Sequence, residues 1–426
     1  RRPVPMRRPD YDRRVAVTGL GIISPVGTSI DTAWDNITNG VSGLKRITRW
    51  DPEITPCHAA GEVNDFDPKE WMNFKAVRRT DKNVVFGVAA AKQAMADSGF
   101  EIDEQNAEEV GVYFGSGVGG PGLMADAMET LHHKGAKGVS PIFIANIQPD
   151  TATGQIAIEI GAKGPNMAIV TACSTGTHNI GEAAEAIRRG DFIAVVCGST
   201  ETPLYEVGYV GFSNMRGMGT PREGRPLGDI SRPFDRSRDG FVLGEGAGAL
   251  VVEDLEHAKA RGAKIYAEVV GYGNAADAWD LIQPVDKGDG VRRAMEWALE
   301  RHGVPRDEID MINPHGTSTP LGDLREAEAI KAVFPDTYRR VGISGTKSMT
   351  GHLMGAAGAI EGVFTALSVH HQVIPATQNY LEPDPEIDLD IVAGDAREQE
   401  VRYGMSDNIG LGGHNGAIIF KHYTGD

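Results

Sequence analysis

The sequence predicts an α/β fold with buried strands, built as two related halves, and three observations predict it. Apolar strand-like runs alternate with Ala-rich helical stretches, the pattern of strands covered on both faces by helices. A short motif recurs: HNIGEAAEAI (178–187) resembles HLMGAAGAI (352–360) with one residue inserted. No Pro/Ser-rich linker separates the halves, so independent beads on a string are not expected. At roughly 150 residues per domain, the 426-residue chain suits two to three units or one large duplicated domain.

The elements follow in order. Residues 13–21, RRVAVTGLG, read as a strand running into a glycine turn. Residues 80–99 read as a helix closed by Gly99, since glycine accepts the left-handed conformation that ends helices. EVGVYFGSGVGG (109–120) is a second strand and turn, 181–190 a helix ending at Gly190, and 192–200 another buried strand. The later part repeats the style over 248–273, 291–303, 309–320 and 359–376. Each copy of the repeat follows a short strand and a loop rich in Ser, Thr and Gly, over 169–177 and 342–351. Equivalent loops at the ends of two packed sheets would bring Cys173 near Lys347 and His352.

Composition narrows the function classes. The balance of 42 Lys+Arg against 59 Asp+Glu gives a net charge of −17, which argues against nucleic acid as the main partner. Residues 1–12 read as a disordered tail or a tag remnant, although Arg1, Arg2, Arg7, Arg8, Arg13 and Arg14 crowd the start. Without an 18-residue apolar run or a signal-peptide core, a soluble, cytoplasmic protein with no membrane insertion is expected. Three cysteines, Cys57, Cys173 and Cys197, fit a reducing compartment without a disulfide framework. Glycine is the anomaly, 54 residues, which marks tight turns and close backbone approach.

Cys173 in TACSTG stands between an apolar strand and an Ala-rich helix. A thiol at a helix start faces unpaired N–H groups, which favour thiolate. Cys57 and Cys197 read as buried bystanders. His315 in NPHGTSTP and His352 in KSMTGHLMG sit in similarly open loops, and a neutral imidazole can donate to an oxyanion or accept a proton. GSGVGG (115–120) matches a dinucleotide-binding fingerprint, but no strand ending in an acidic residue follows at the right distance. No Cys-x-x-Cys or His-Glu-x-x-His spacing occurs, so no metal site is expected.

Taken together, TACSTG, NPHGTSTP and GTKSMTGHLMGAAGAIE resemble the β-ketoacyl-[acyl-carrier-protein] synthases, most of all their elongating synthase II branch. SRPFDRSRDGFVLGEGAG (231–248) and AKIYAEVVGYG (263–273) are similar to that family too, and the likeness runs from about Arg13 to Tyr423. It implies a thiolase-like fold with duplicated βαβαβ halves in five αβαβα layers, divided as 13–262 and 263–424, and a homodimer. It implies decarboxylative condensation of an acyl group on Cys173 with malonyl-carrier protein, in fatty acid or related lipid elongation. His315 and His352 would assist decarboxylation, Lys347 paired with Glu361 would organise the site, and the Cys173 and Leu411 backbone N–H groups would form the oxyanion hole. Thr317 and Thr319 would bind the pantetheine arm. No cofactor is implied beyond the phosphopantetheine of the substrates. The acidic carrier protein would dock on Lys75, Arg78, Arg79 and Arg216.

One departure stands out. The family's gating loop carries two phenylalanines where this chain has Ile409 and Leu411 in DNIGLGG. A smaller, flexible Leu411 predicts a wider gate. Asp280, Ile282 and the stretch 148–150 also differ from the family's usual types, and Val118, at the position whose size limits chain length, leaves room for a medium or long chain. Hence an alternative: a ketosynthase of a specialised lipid or polyketide pathway. A non-condensing chain-length-factor-like partner would lack the nucleophile, and a papain-like Cys-His hydrolase would lack Lys347.

Overall fold

Strand β1 (Val15–Ile23) is buried at every position. The computed structural model describes residues 13–425, so the tail assigned to residues 1–12 lies outside the described residues. The sequence suggested a glycine turn near residue 21, but the strand continues through Gly19 and Gly21, with a register shift between Val17 and Gly19. Both face helix α1 (Lys82–Ser98), where an added Cβ would stand 2.1 Å from the Ala94 carbonyl or 1.9 Å from that of Ala90. These glycines let helix and strand approach; they do not turn the chain.

The first set of elements continues with β2 (Val110–Gly115), α2 (Thr151–Ile160), β3 (Asn166–Met167), α3 (Thr175–Arg189), β4 (Ala194–Glu201) and β5 (Gly246–Asp254). The second comprises β6 (Ala267–Ala276), α4 (Asp289–Glu300), β7 (Ile309–Asn313), α5 (Pro320–Val333), β8 (Gly342–Ile343), α6 (Ala357–His371), β9 (Tyr403–Gly410) and β10 (His414–His422). Their sheet orders match: β3-β2-β4-β5-β1 in the first and β8-β7-β9-β10-β6 in the second. In each, the first three strands are parallel and the last two pair antiparallel. The sets meet where Ala16 and Val17 of β1 pair with Glu268 and Ala267 of β6.

Helices α3 and α6 pack against each other and against strands of both sets, while α1 with α2 and α4 with α5 cover the outer faces. The result is the expected five-layered αβαβα thiolase-like fold. Residues 357–369 of α6 are all buried, which explains why that stretch is apolar around its whole circumference.

The duplication is real, but its register differs from the sequence match. Ala172 and Met354 both take φ of +50°, each opening a short 3-10 turn before a central helix. Eighteen residues later each helix ends on a left-handed residue, Gly190 or Gln372. The structural counterpart of Cys173 is therefore Gly355, and His178 does not correspond to His352. Matching Ala/Gly-rich letters slid along two similar helices, whereas the backbone conformations do not slide. The strand expected directly before Cys173 is also shorter and earlier: β3 ends at Met167, leaving Ile169 and Val170 in irregular chain at the sheet edge.

Candidate active site

Cys173 sits in the 3-10 turn Ala172–Ser174 immediately before α3 and is 3% exposed. Left-handed Ala172 swings the chain out of its extended path, so the thiol projects toward the second half. There His352 Nε2 lies 3.1 Å from the sulfur, and the Leu411 backbone N–H also reaches it. The His315 ring meets that of His352 edge to face, with centroids 5.2 Å apart. The sequence expectation that the repeat loops bring Cys173 to His352 holds.

Each histidine is anchored from behind. His352 is held through its backbone N–H to the Val242 carbonyl at 2.7 Å, and Phe241 packs edge-on against its ring. His315 follows β7, and Glu326 of α5 accepts its backbone N–H at 2.6 Å and that of Gly316 at 2.8 Å. The Asn408 amide nitrogen donates to Glu361 at 2.7 Å and stands 3.4 Å from His315 Nδ1. Because that nitrogen only donates, His315 Nδ1 accepts and its proton resides on Nε2. Thr177 on α3 donates to the other end of the Asn408 amide and fixes its orientation.

Lys347 and Glu361, both essentially buried, form an ion pair. Burial pushes Glu361 up, while Lys347 and Asn408 pull it back. Burial followed by the Lys347 charge drives His352 well below its ordinary value, and His315 falls likewise with the added effect of His352. Both rings are therefore neutral. Helix-start reasoning favoured a thiolate at Cys173, but burial dominates and pushes the thiol up to about 12, against the Leu411 N–H and the Lys347 charge. The resting pair is a neutral thiol beside a neutral imidazole, ready to transfer a proton when charge develops.

Cys173, His315 and His352 line a cleft of about 320 Å³. Thr317 and Thr319 line one wall with their hydroxyls 3.1 Å apart, and Ile409, Leu411, Asp280, Ile282 and Arg216 lie at its surface. Leu411 begins the turn from β9 into β10 and is 36% exposed. Val118 does not line this cleft; it is exposed in the loop after β2. Lys75, Arg78 and Arg79 lie together, all exposed, in and just after the short helix Phe74–Val77. Sequence reasoning passed over Phe74 there, which is 55% exposed and flanked by Lys69 and Arg78.

It also passed over Asn408 and Glu326, whose importance is visible only when distant strands meet. The atoms of Cys173, His315 and His352 lie within 4.8 Å of one another, the one such group of metal-ligating type among the described residues. Zinc would require the thiolate form of Cys173, which burial disfavours here.

Comparison with known proteins agrees with this geometry. The family model described as "Beta-ketoacyl synthase, N-terminal domain" matches residues 12–258, and "Beta-ketoacyl synthase, C-terminal domain" matches 266–381. The 3-oxoacyl-[acyl-carrier-protein] synthase 2 of Staphylococcus aureus (strain COL) is 44% identical over 412 residues, 97% of this chain and 99% of that protein. The Coxiella burnetii (strain RSA 493) protein of the same name is 44% identical, covering 96% and 98%. Among solved structures, the ishigamide ketosynthase/chain length factor aligns with a TM-score of 0.89 at 34% identity, over 96% of this chain and 99% of that one. A type II polyketide ketosynthase in complex with its acyl-carrier protein aligns with a TM-score of 0.89 at 29% identity, covering 96% and 100%.

Proposed function

The chain belongs to the beta-ketoacyl synthase family, and from that premise we propose a division of labour for its condensing, acyl-transferring chemistry. The sulfur of Cys173 attacks an acyl-carrier-protein thioester, the pantetheine thiolate leaves, and the proton passes through His352 to that leaving group. Malonyl-carrier protein then occupies the same cleft. Its carboxylate departs as carbon dioxide, and the electron pair of the broken bond becomes an enolate whose oxygen accepts from His315 Nε2–H and from His352 in its Nε2–H tautomer. The enolate carbon attacks the Cys173 thioester, the backbone N–H groups of Cys173 and Leu411 hold the oxyanion, and the cysteine thiolate leaves and takes up a proton from solvent, which restores the neutral thiol. The product is β-ketoacyl-carrier protein, as in fatty acid elongation.

One observation carries this reading: a buried thiol within 3.1 Å of a neutral imidazole, with a backbone N–H aimed at the same sulfur. Lys347 acts electrostatically, adding to burial in keeping both rings neutral, and pairs with Glu361. Thr317 and Thr319 hydrogen-bond the pantetheine arm along the cleft wall.

The carrier protein is acidic, and it docks on Lys75, Arg78 and Arg79 with Arg216 at the cleft mouth, supported by the exposure of all four. A second copy of the chain covers β3, an edge strand flanked by exposed Ile144, Ile158 and Val170. Val118, exposed in this protomer, then bounds the acyl pocket from the dimer side. Ile409 and Leu411 gate the cleft and favour the specialised-lipid reading within the same chemistry. Mass spectrometry of Cys173 after incubation with mixed acyl-carrier proteins tests the assignment: acyl thioester on Cys173 and none in Cys173→Ala. Acylation elsewhere, or condensation by that variant, refutes it.

A further inference from the structure

The matching sheet orders place two helix starts opposite two strand ends. In one, the Cys173 turn faces the end of β9, where Gly410 pairs with His414 and Leu411 follows. In the other, the Gly355 turn faces the end of β4, where Glu201 pairs with Gly246 in the matching rung. The first junction is the open cleft. The second is filled by one carboxylate.

Glu201 is 1% exposed and accepts four hydrogen bonds. Its Oε1 receives the Ser116 hydroxyl at 2.6 Å and the Val118 N–H at 3.4 Å. Its Oε2 receives the Gly117 N–H at 2.7 Å and the Gly355 N–H at 3.1 Å. Gly355 is the counterpart of Cys173, so Glu201 holds the N–H that corresponds to an oxyanion donor in the other half. The fit allows no side chain: a Cβ on Gly355 would stand 2.4 Å from the Gly117 nitrogen and 2.5 Å from Glu201 Oε2.

What the carboxylate joins is adjacent to the reaction. The loop 116–118 leaves β2 beside Ala172, whose carbonyl would lie 3.4 Å from a Cβ on Gly117. Gly355 follows Met354, which lines the cleft two residues after His352. We propose that Glu201 is a positioning residue of the condensing site. Its carboxylate occupies the pseudo-symmetric counterpart of the oxyanion pocket and clamps the 116–118 loop to Gly355, fixing both the wall beside Cys173 and the segment carrying His352. The inference rests on the condensing role of Cys173. Burial holds Glu201 near about 7 despite its four donors, which fits a group retained for geometry at an electrostatic cost.

The test is Glu201→Gln, which keeps the volume but turns an NH₂ toward donor groups. Turnover is expressed per Cys173 that can be acylated, counted by mass spectrometry, so loss of folded protein does not mimic the effect. The expected result is about a tenfold fall in that normalised kcat, with KM for acyl-carrier protein within twofold because docking is untouched. A normalised kcat within threefold of the parent overturns the proposal. If this variant does not fold, Ser116→Ala removes one donor and leaves the charge; about a threefold fall supports the clamp, and an unchanged value overturns it. Failure of the Cys173 reading shows separately, as an absence of acyl-Cys173 in the parent protein.

Discussion

His352 Nε2 and the Cys173 sulfur stand 3.1 Å apart although 179 residues separate them in the chain. Both are buried, so each is held in its neutral form and neither is a standing charge. The site is therefore organised for proton transfer during reaction and not for a preformed thiolate–imidazolium pair. This distinguishes it from cysteine sites in which an exposed helix start lowers the thiol pKa.

Alkylation by iodoacetamide reads that state directly. With the Cys173 thiol pushed up to about 12, the thiolate fraction climbs through the whole accessible range. The alkylation rate should rise about tenfold per pH unit between roughly pH 7 and 9, whereas a free thiol levels off near pH 8.5. Cys57 and Cys197, buried and likewise pushed up, should remain unlabelled in the folded protein. A plateau near pH 7 for Cys173 would contradict the buried neutral thiol.

Asp407 and Glu326 offer a stability test. Both are buried; burial raises Asp407 to about 7, and burial with the neighbouring Asp407 drives Glu326 well above its usual range. A carboxyl whose folded value is raised binds its proton more tightly in the native state. Its contribution is complete below the unfolded value of about 3.9 and is lost as pH rises through about 7. Asp407→Asn removes this dependence, so its stability relative to the parent should improve between about pH 4 and 7. Urea unfolding at both ends of that window measures the change; a constant difference would show that Asp407 is already ionised in the native state.

Much of this architecture was legible in the chain. Gly99 and Gly190 announced helix ends because no other residue takes the left-handed conformation at so little cost, and both end helices here. Cys173, His315, His352 and Lys347 stood in loops of small residues, which is where a substrate has room. The repeat register was not legible, since Ala and Gly recur along both central helices and the decisive feature is backbone φ at Ala172 and Met354. Gly19 and Gly21 read as a turn because glycine's freedom to bend and its ability to admit a neighbouring helix look identical in sequence. Asn408 and Glu201 were missed for another reason: their partners Glu361, Thr177, Gly117 and Gly355 lie on helices, turns and loops distant in sequence, and no local spacing records such meetings.

The proposed gating role of Leu411 is open to a selectivity test. Its side chain lies at the cleft surface while its N–H serves the sulfur, so a substitution can change bulk without moving the donor. Leu411→Phe should narrow the range of acyl chains found on Cys173, with the longest falling about tenfold relative to the shortest. Mass spectrometry of Cys173 against an equimolar acyl-carrier-protein ladder gives the profile. An unchanged profile would remove Leu411 from the selectivity argument and leave the cleft walls to account for it.

The proposed docking of carrier protein on the basic cluster is separable from chemistry by the same logic. Lys75, Arg78 and Arg79 do not line the cleft, and the protein as a whole carries a charge of −17, so this cluster works against the overall field. Exposed charges act mainly on encounter, and salt weakens them over a screening length of about 8–10 Å. The double variant Arg78→Ala/Arg79→Ala should therefore raise KM for acyl-carrier protein by about tenfold and leave kcat within twofold. Acyl transfer from a small pantetheine thioester should be unaffected, because that substrate reaches Cys173 through the cleft without using the patch. Added salt should depress kcat/KM of the parent more than that of the variant. If both substrates are affected equally, the two arginines support the fold near α1 and the docking surface lies elsewhere around Arg216.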